Sequence, residues 1–154
     1  NTFVFGAYEI PSGSMEGTIE VGDLVFSEKL SYYANEPQKG DIVTFTDPLV
    51  SNRTLIKRVI ATGGQTVDLQ NGKVVVDGVV LDEPYTENKV SEPFEKTAVP
   101  ISYPYTVPEG CLWVMGDNRT NSQDSRYFGA IDASSVTGHA VFTYWPIPHI
   151  GVLS

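Results

Sequence analysis

One cysteine, Cys111, is too few for an intrachain disulfide or a cysteine-based metal cluster. Two histidines leave little material for a Ser-His-Asp catalyst. His139 sits in a strand-like stretch and His149 in a proline-rich tail, where a structural role is the ordinary reading. Basic residues are scarce: ten Lys and Arg against nineteen Asp and Glu give a formal net charge of −9. That balance excludes a generic nucleic-acid binder, which needs a basic face for phosphates, and a polybasic grip on anionic lipid heads. No apolar run approaches the ~18 residues needed to span a bilayer, and no signal-peptide pattern is present. The opening Asn1-Thr2-Phe3-Val4-Phe5 reads as a fragment whose upstream part was removed. The carboxylates lack metal-ligand spacing and no glycine loop fits a phosphate, so neither metal nor cofactor is expected.

The remaining composition is globular, with 41% hydrophobic and 19% charged residues. A chain of 154 residues fits one domain with a full core. Fourteen Gly and ten Pro separate short runs rich in Val, Ile, Thr, Phe and Tyr. This is the pattern of an all-β sandwich or barrel of short antiparallel strands with little helix. Strands are predicted at residues 2–8, 24–28, 41–46, 55–61, 66–69, 73–76, 79–81, 111–115 and 138–144, with a helical turn near 132–136. Asp77-Gly78 between two valine runs predicts a two-residue hairpin, because both residues tolerate positive φ. Residues 83–108 differ. Five prolines, several charges and the rings of Tyr85, Phe94, Tyr103 and Tyr105 read as a loop-rich insertion between core segments 1–82 and 109–154.

Three clusters have chemical potential. In Ser12-Gly13-Ser14, an extended backbone would point both hydroxyls the same way, one to attack a carbonyl and one to hold an oxyanion. An arbitrary Ser-Gly-Ser is more often a polar turn. Lys57 lies in the apolar run Leu55-Ile56-Lys57-Arg58-Val59-Ile60, on one strand face with Leu55, Val59 and Ala61. A lysine there either snorkels to water or gives up its proton, and a general base needs its pKa lowered to roughly 7–8. In the stretch 116–126, Ser122, Asp124 and Arg126 would share one side of an extended chain, where Asp and Arg can form a bidentate pair. Cys111 precedes Leu112-Trp113-Val114 and reads as a buried, inert thiol.

In this order the clusters resemble bacterial type I signal peptidases, from about Phe3 to Pro146. Pro11-Ser12-Gly13-Ser14-Met15 looks like the nucleophile box of that family, and Lys57-Arg58-Val59-Ile60 like its general-base box. Gly116-Asp117-Asn118-Arg119 with Ser122 and Asp124-Ser125-Arg126 looks like its third box. The resemblance implies a Ser-Lys dyad serine endopeptidase on a signal-peptidase-like β fold spanning 1–154. It makes Ser14 the nucleophile, Lys57 the neutral base, and Ser12 the partner of the Ser14 N–H in the oxyanion hole. Ser122 would position the lysine, with Asp124 and Arg126 as the supporting ion pair. Tyr8, Ile10, Met15, Leu55 and Ile56 fall where the family lines its substrate cleft. The implied substrates are pre-protein signal peptides cut after an Ala-x-Ala-like site, with membrane lipid near the active site. The implied location is the outer face of the cytoplasmic membrane, and no nucleic acid or metal is involved. The N-terminal anchor of the family is missing from this chain, which makes a soluble ectodomain the expectation. Glu16-Gly17-Thr18 and Ala61-Thr62-Gly63-Gly64-Gln65 depart from the usual boxes. Two rivals remain: a self-cleaving repressor-type Ser-Lys peptidase, whose DNA-binding domain and cleavable linker are absent here, and an inactive β-barrel binding module.

Overall fold

The computed structural model describes residues 5–154. Its strands in chain order are β1 (Phe5–Glu9), β2 (Leu24–Glu28), β3 (Ile42–Thr46), β4 (Thr54–Thr62), β5 (Thr66–Gln70), β6 (Lys73–Val76), β7 (Val79–Val80), β8 (Tyr105–Thr106), β9 (Cys111–Met115), β10 (Ile131–Asp132), β11 (Val136–Trp145) and β12 (Gly151–Val152). The mostly β expectation holds. Residues 2–4 of the first expected strand lie outside the described residues. Two single-turn helices, α1 (Ser31–Ala34) and α2 (Ser125–Phe128), were not anticipated, and neither were β8, β10 and β12. Elements of two to four residues are too short to show a period. The turn expected near 132–136 is a 3-10 turn at Ala133–Ser135.

The strands form two antiparallel sheets. The larger runs β1-β2-β11-β3-β4-β9-β10 with β12 beside β11; the smaller runs β7-β6-β5-β8. The Asp77-Gly78 hairpin forms as predicted: both residues have positive φ, 49° and 79°, matching the twist of β6 and β7.

Strand β4 organises the molecule. Its Lys57 lies opposite Val43 of β3, and Arg58 opposite Ile42 on one side and Met115 of β9 on the other. Alternation sends Leu55 and Val59 into a core with Val43, Phe45 and Val114, and Ile56 into a second core with Ile10, Met15, Ile19, Val25 and Ile42. A register shift between Val59 and Ala61 ends that alternation. Ile60 and Ala61 both join a third core, around Val67, Trp113 and Met115. Ala61 therefore does not continue the Lys57 face as a regular strand would have it. Each fully buried Val, Ile or Phe in these cores contributes about 1.5–3 kcal/mol.

Residues 83–108 are held to the core by arginines from the stretch 116–126. Arg119 donates to both Glu83 oxygens, at 2.8 and 2.6 Å, and to Ser91 Oγ at 2.8 Å. Arg126 donates to the Glu92 carbonyl at 3.3 Å and covers the Phe94 ring. The Arg58 guanidinium lies 3.9 Å from the centre of the Tyr85 ring. The segment also supplies β8, which pairs with β5. A proline-rich path is thus ordered by side-chain forks together with one short ladder at β8 and single backbone bonds, such as Ser91 N–H to the Gly72 carbonyl. Among the described residues no helix is long and apolar enough to cross a membrane.

Candidate active site

Ser14 does not lie on an extended chain. The backbone bends at Ser12 and enters successive turns, with Glu16 N–H donating to the Gly13 carbonyl and Ile19 N–H to that of Met15. Buried Met15 and Ile19 anchor the turn, and Gly17 takes a φ of 97°. The extended reading of Ser12-Gly13-Ser14 is therefore corrected: packing of Met15 and Ile19 overrides local strand geometry. The stretch 116–126 stitches this turn in place. Asn118 donates from its backbone to the Ser14 carbonyl (2.9 Å) and from its side chain to that of Gly13 (2.8 Å). Thr18 Oγ1 donates to Asp117 Oδ2 at 2.6 Å, and the Asp117 N–H meets Met15 Sδ.

The turn delivers Ser14 to strand β4. Lys57 Nζ donates to Ser14 Oγ at 2.8 Å, with both residues buried, 3% and 5% exposed. Burial lowers the Lys57 pKa to about 8, against the opposing pull of the Asp124 and Asp47 charges. A lysine at that value is half neutral near pH 8 and can accept a proton from a hydroxyl at 2.8 Å.

Ser122, Asp124 and Arg126 do converge, but not by strand alternation. Ser122 and Asp124 are extended, while Arg126 is in α2, which Asp124 caps by accepting the Arg126 N–H. Asp124 is fully buried and also accepts from Arg126 Nε and Nη2, Gly116 N–H and Ser122 Oγ. Burial opposes its charge, but Arg126 and these donors outweigh that and hold its pKa below the usual value. The Ser122 hydroxyl donates to Asp124 Oδ2 at 2.8 Å, while the hydrogen bond of Lys57 goes to Ser14. Ser122 thus acts directly on the carboxylate.

An open cavity of about 240 Å³ lies over the pair, lined by Ser12, Gly13, Ser14, Leu55 and Lys57, with Arg53, Asn121 and Gln123. Ser12 is exposed, and the Ser14 N–H donates to no other described residue. Of the five expected cleft residues, Leu55 lines this cavity. Ile10, Met15 and Ile56 are packed in the second core, and Tyr8 lies half-buried on β1 opposite Val25.

Several residues were not assigned a role from sequence. Arg58 and Asp117 form a buried bidentate pair at 2.9 and 2.8 Å. The signal was an arginine on the apolar face of β4, which must find a partner. Gly116 is in contact with the site: a Cβ there would collide with Ser122 Oγ and the Ser14 carbonyl. Glu83 and Tyr85 gave no periodic signal. His139 lies between Glu28 and Asp41 and stacks on Tyr32, and His149 bonds Asp23. Cys111 is partly buried against the third core, which corrects the full burial expected of it but not its inertness. It lies at the start of β9 opposite Asp132 of β10, and burial with that carboxylate raises its pKa, which keeps the thiol protonated.

The class so defined is a small antiparallel β protein with a serine–lysine pair under an open cleft. Its sequence matches the family described as Signal peptidase, peptidase S26, over residues 1–145. It is 38% identical to the Probable signal peptidase I-2 of Synechocystis sp., over 99% of this chain and 69% of that one. It is also 38% identical to the Signal peptidase I of Leptolyngbya laminosa, over 99% and 74%, and 34% identical to that of Bacillus caldolyticus, over 94% and 81%. A crystal structure of a signal peptidase I from Enterococcus faecalis V583 superposes with a TM-score of 0.57 at 35% identity, over 68% of this chain and 97% of that one. The chain belongs to the signal peptidase family and is a peptidase.

Proposed function

We propose that this protein is a serine endopeptidase that removes N-terminal signal peptides from pre-proteins by a Ser14–Lys57 dyad. The observation that carries the reading is the 2.8 Å hydrogen bond between two buried side chains, one of them a lysine with its pKa near 8. Neutral Lys57 takes the Ser14 proton as Oγ attacks the scissile carbonyl. The Ser14 N–H and Ser12 Oγ hold the oxyanion, a donor of this kind being worth ~2.7–4 kcal/mol elsewhere. Protonated Lys57 gives its proton to the leaving amine, an acyl-enzyme remains, and water activated by Lys57 releases it. Asp124, held by Arg126 and Ser122, supplies the fixed charge beside the base. Leu55 and Tyr8 would line the path of the substrate; Ile10, Met15 and Ile56 would act by shaping the wall behind it. The cut after an Ala-x-Ala-like site, the nearby membrane lipid and the outer face of the cytoplasmic membrane follow from the family likeness. The domain reading, a core of 1–82 and 109–154 with the insertion 83–108, belongs to the same proposal.

The test is incubation with a pre-protein bearing an Ala-x-Ala site, with detergent or lipid present, and intact mass of the products. Cleavage after the final Ala, lost in Ser14→Ala and Lys57→Met, is expected. Cleavage that survives Lys57→Met refutes the mechanism, and a folded wild type that cuts nothing under any lipid condition favours a binding module.

A further inference from the structure

Arg53 is the permanent charge of the cleft. Arg53 immediately precedes β4, and Arg53, Leu55 and Lys57 all line the cavity over Ser14. Lys57 must lose its charge to act as a base; an arginine keeps its own. The guanidinium is also held in place. Its Nε donates at 2.7 Å to Asp47 Oδ2, and Nη2 pairs with the same oxygen. Asp47 is in turn fixed by the Leu49 and Val50 N–H groups. The side chain of Asp47 is 1% exposed and that of Arg53 53% exposed, so the anchoring carboxylate is hidden while the fork faces solvent and the cleft. Nη1 has no partner among the described residues. The chain as a whole is strongly acidic, at −9, and would repel an acidic segment; Arg53 sets a cation against that field at the cavity over Ser14.

Resting on the endopeptidase reading above, we infer that Arg53 is a specificity-determining residue that binds a carboxylate side chain of the substrate near the scissile bond. Arg53 lies four positions before Lys57, and at about 3.4 Å per extended residue the two are at most about 14 Å apart along the chain, or some four residues of an extended substrate. The carboxylate therefore lies within about four residues of the cut.

The experiment uses pre-protein cleavage-region peptides in pairs, Glu against Gln, with the substitution moved one position at a time over four residues on each side of the cut. At low salt one position should give a Glu/Gln ratio of kcat/KM of about three to five, carried by KM, which falls toward one in 1 M NaCl. Arg53→Gln should bring the ratio to one, Arg53→Lys should keep part of it, and Arg53→Glu should favour a Lys peptide. The ratio cancels any change in Lys57 basicity common to both peptides. The same pairs titrated onto Ser14→Ala read the contact as a Kd ratio without turnover. Charge-dependent Kd without wild-type cleavage sinks the endopeptidase reading and keeps Arg53 as a carboxylate-binding residue of the cleft. Equal ratios in wild type and Arg53→Gln, or a ratio of one at every position in both assays, overturn it.

Discussion

The pH dependence of turnover follows from the burial of Lys57. With its pKa lowered from 10.5 to about 8, roughly one molecule in eleven carries the neutral amine at pH 7 and ten in eleven at pH 9. An unperturbed lysine would be neutral in only about one molecule in three thousand at pH 7, so burial raises the competent fraction some 300-fold. kcat/KM for a pre-protein should therefore rise about tenfold between pH 7 and pH 9, with one inflection near 8. The same shift has a stability cost of about 3 kcal/mol. Below pH 8 both the folded and unfolded lysines are protonated and the cost is full. Between pH 8 and 10.5 the unfolded chain holds the extra proton, so stability rises with pH as the cost disappears. Lys57→Met should thus abolish cleavage yet raise the urea midpoint at pH 7, by an amount that shrinks toward pH 10. Rates are read by gel or mass against pH, with stability by urea titration at each pH. A flat pH profile, an inflection above 10, or a Lys57→Met protein less stable than wild type at pH 7 refutes the reasoning.

Other outcomes can be stated briefly. Gly116→Ala drives a methyl into Ser122 Oγ and the Ser14 carbonyl; a loss of about 1–3 kcal/mol in urea titration with a disproportionate loss of kcat is expected. Asp117→Ala strands Arg58 without its bidentate partner and should cost about 3–5 kcal/mol, most of it recovered in Arg58→Met/Asp117→Leu, as measured by thermal melts. Glu83→Ala frees the Arg119 fork, and limited proteolysis should then cut within 83–108 much faster than in wild type. Gly78→Ala forces an L side chain to a φ of 79° at the β6–β7 turn; it should cost about 1–2 kcal/mol and leave kcat/KM unchanged.

The fold was legible where local chemistry has few solutions. The valine runs around Asp77-Gly78 give both strands and the turn, because a type I′ geometry has few sequence solutions. What escaped was short or set by tertiary contact. Helix α2 is four residues, held by Asp124 capping the Arg126 N–H, and nothing in Ser125-Arg126-Tyr127-Phe128 alone requires it. The bulge after Val59 is likewise invisible locally, since Ile60 and Ala61 are as apolar as their neighbours; it is the packing of both against Trp113 and Val67 that selects it.

The site was legible as residue types and not as geometry. A lysine inside six residues that otherwise include Leu, Ile, Val and Ile is improbable unless burial is useful, and burial is what lowers its pKa. Its partner could not be found by a strand rule, because Ser14 reaches β4 on a turn locked by Asn118, more than a hundred residues away in sequence. Five buried polar side chains then share a single logic. Arg58 needs Asp117, Asp124 needs Arg126, and Ser122 completes Asp124. Each partner lies in the stretch 116–126 or faces it, so that stretch must fold as one piece. Proline-rich residues 83–108 close over it through Arg119 and Arg126, the same arginines whose backbones define the stretch. A buried charge network of this kind is poor at adding stability but intolerant of alternatives. It suits a chain that must hold one lysine close to a serine and out of water.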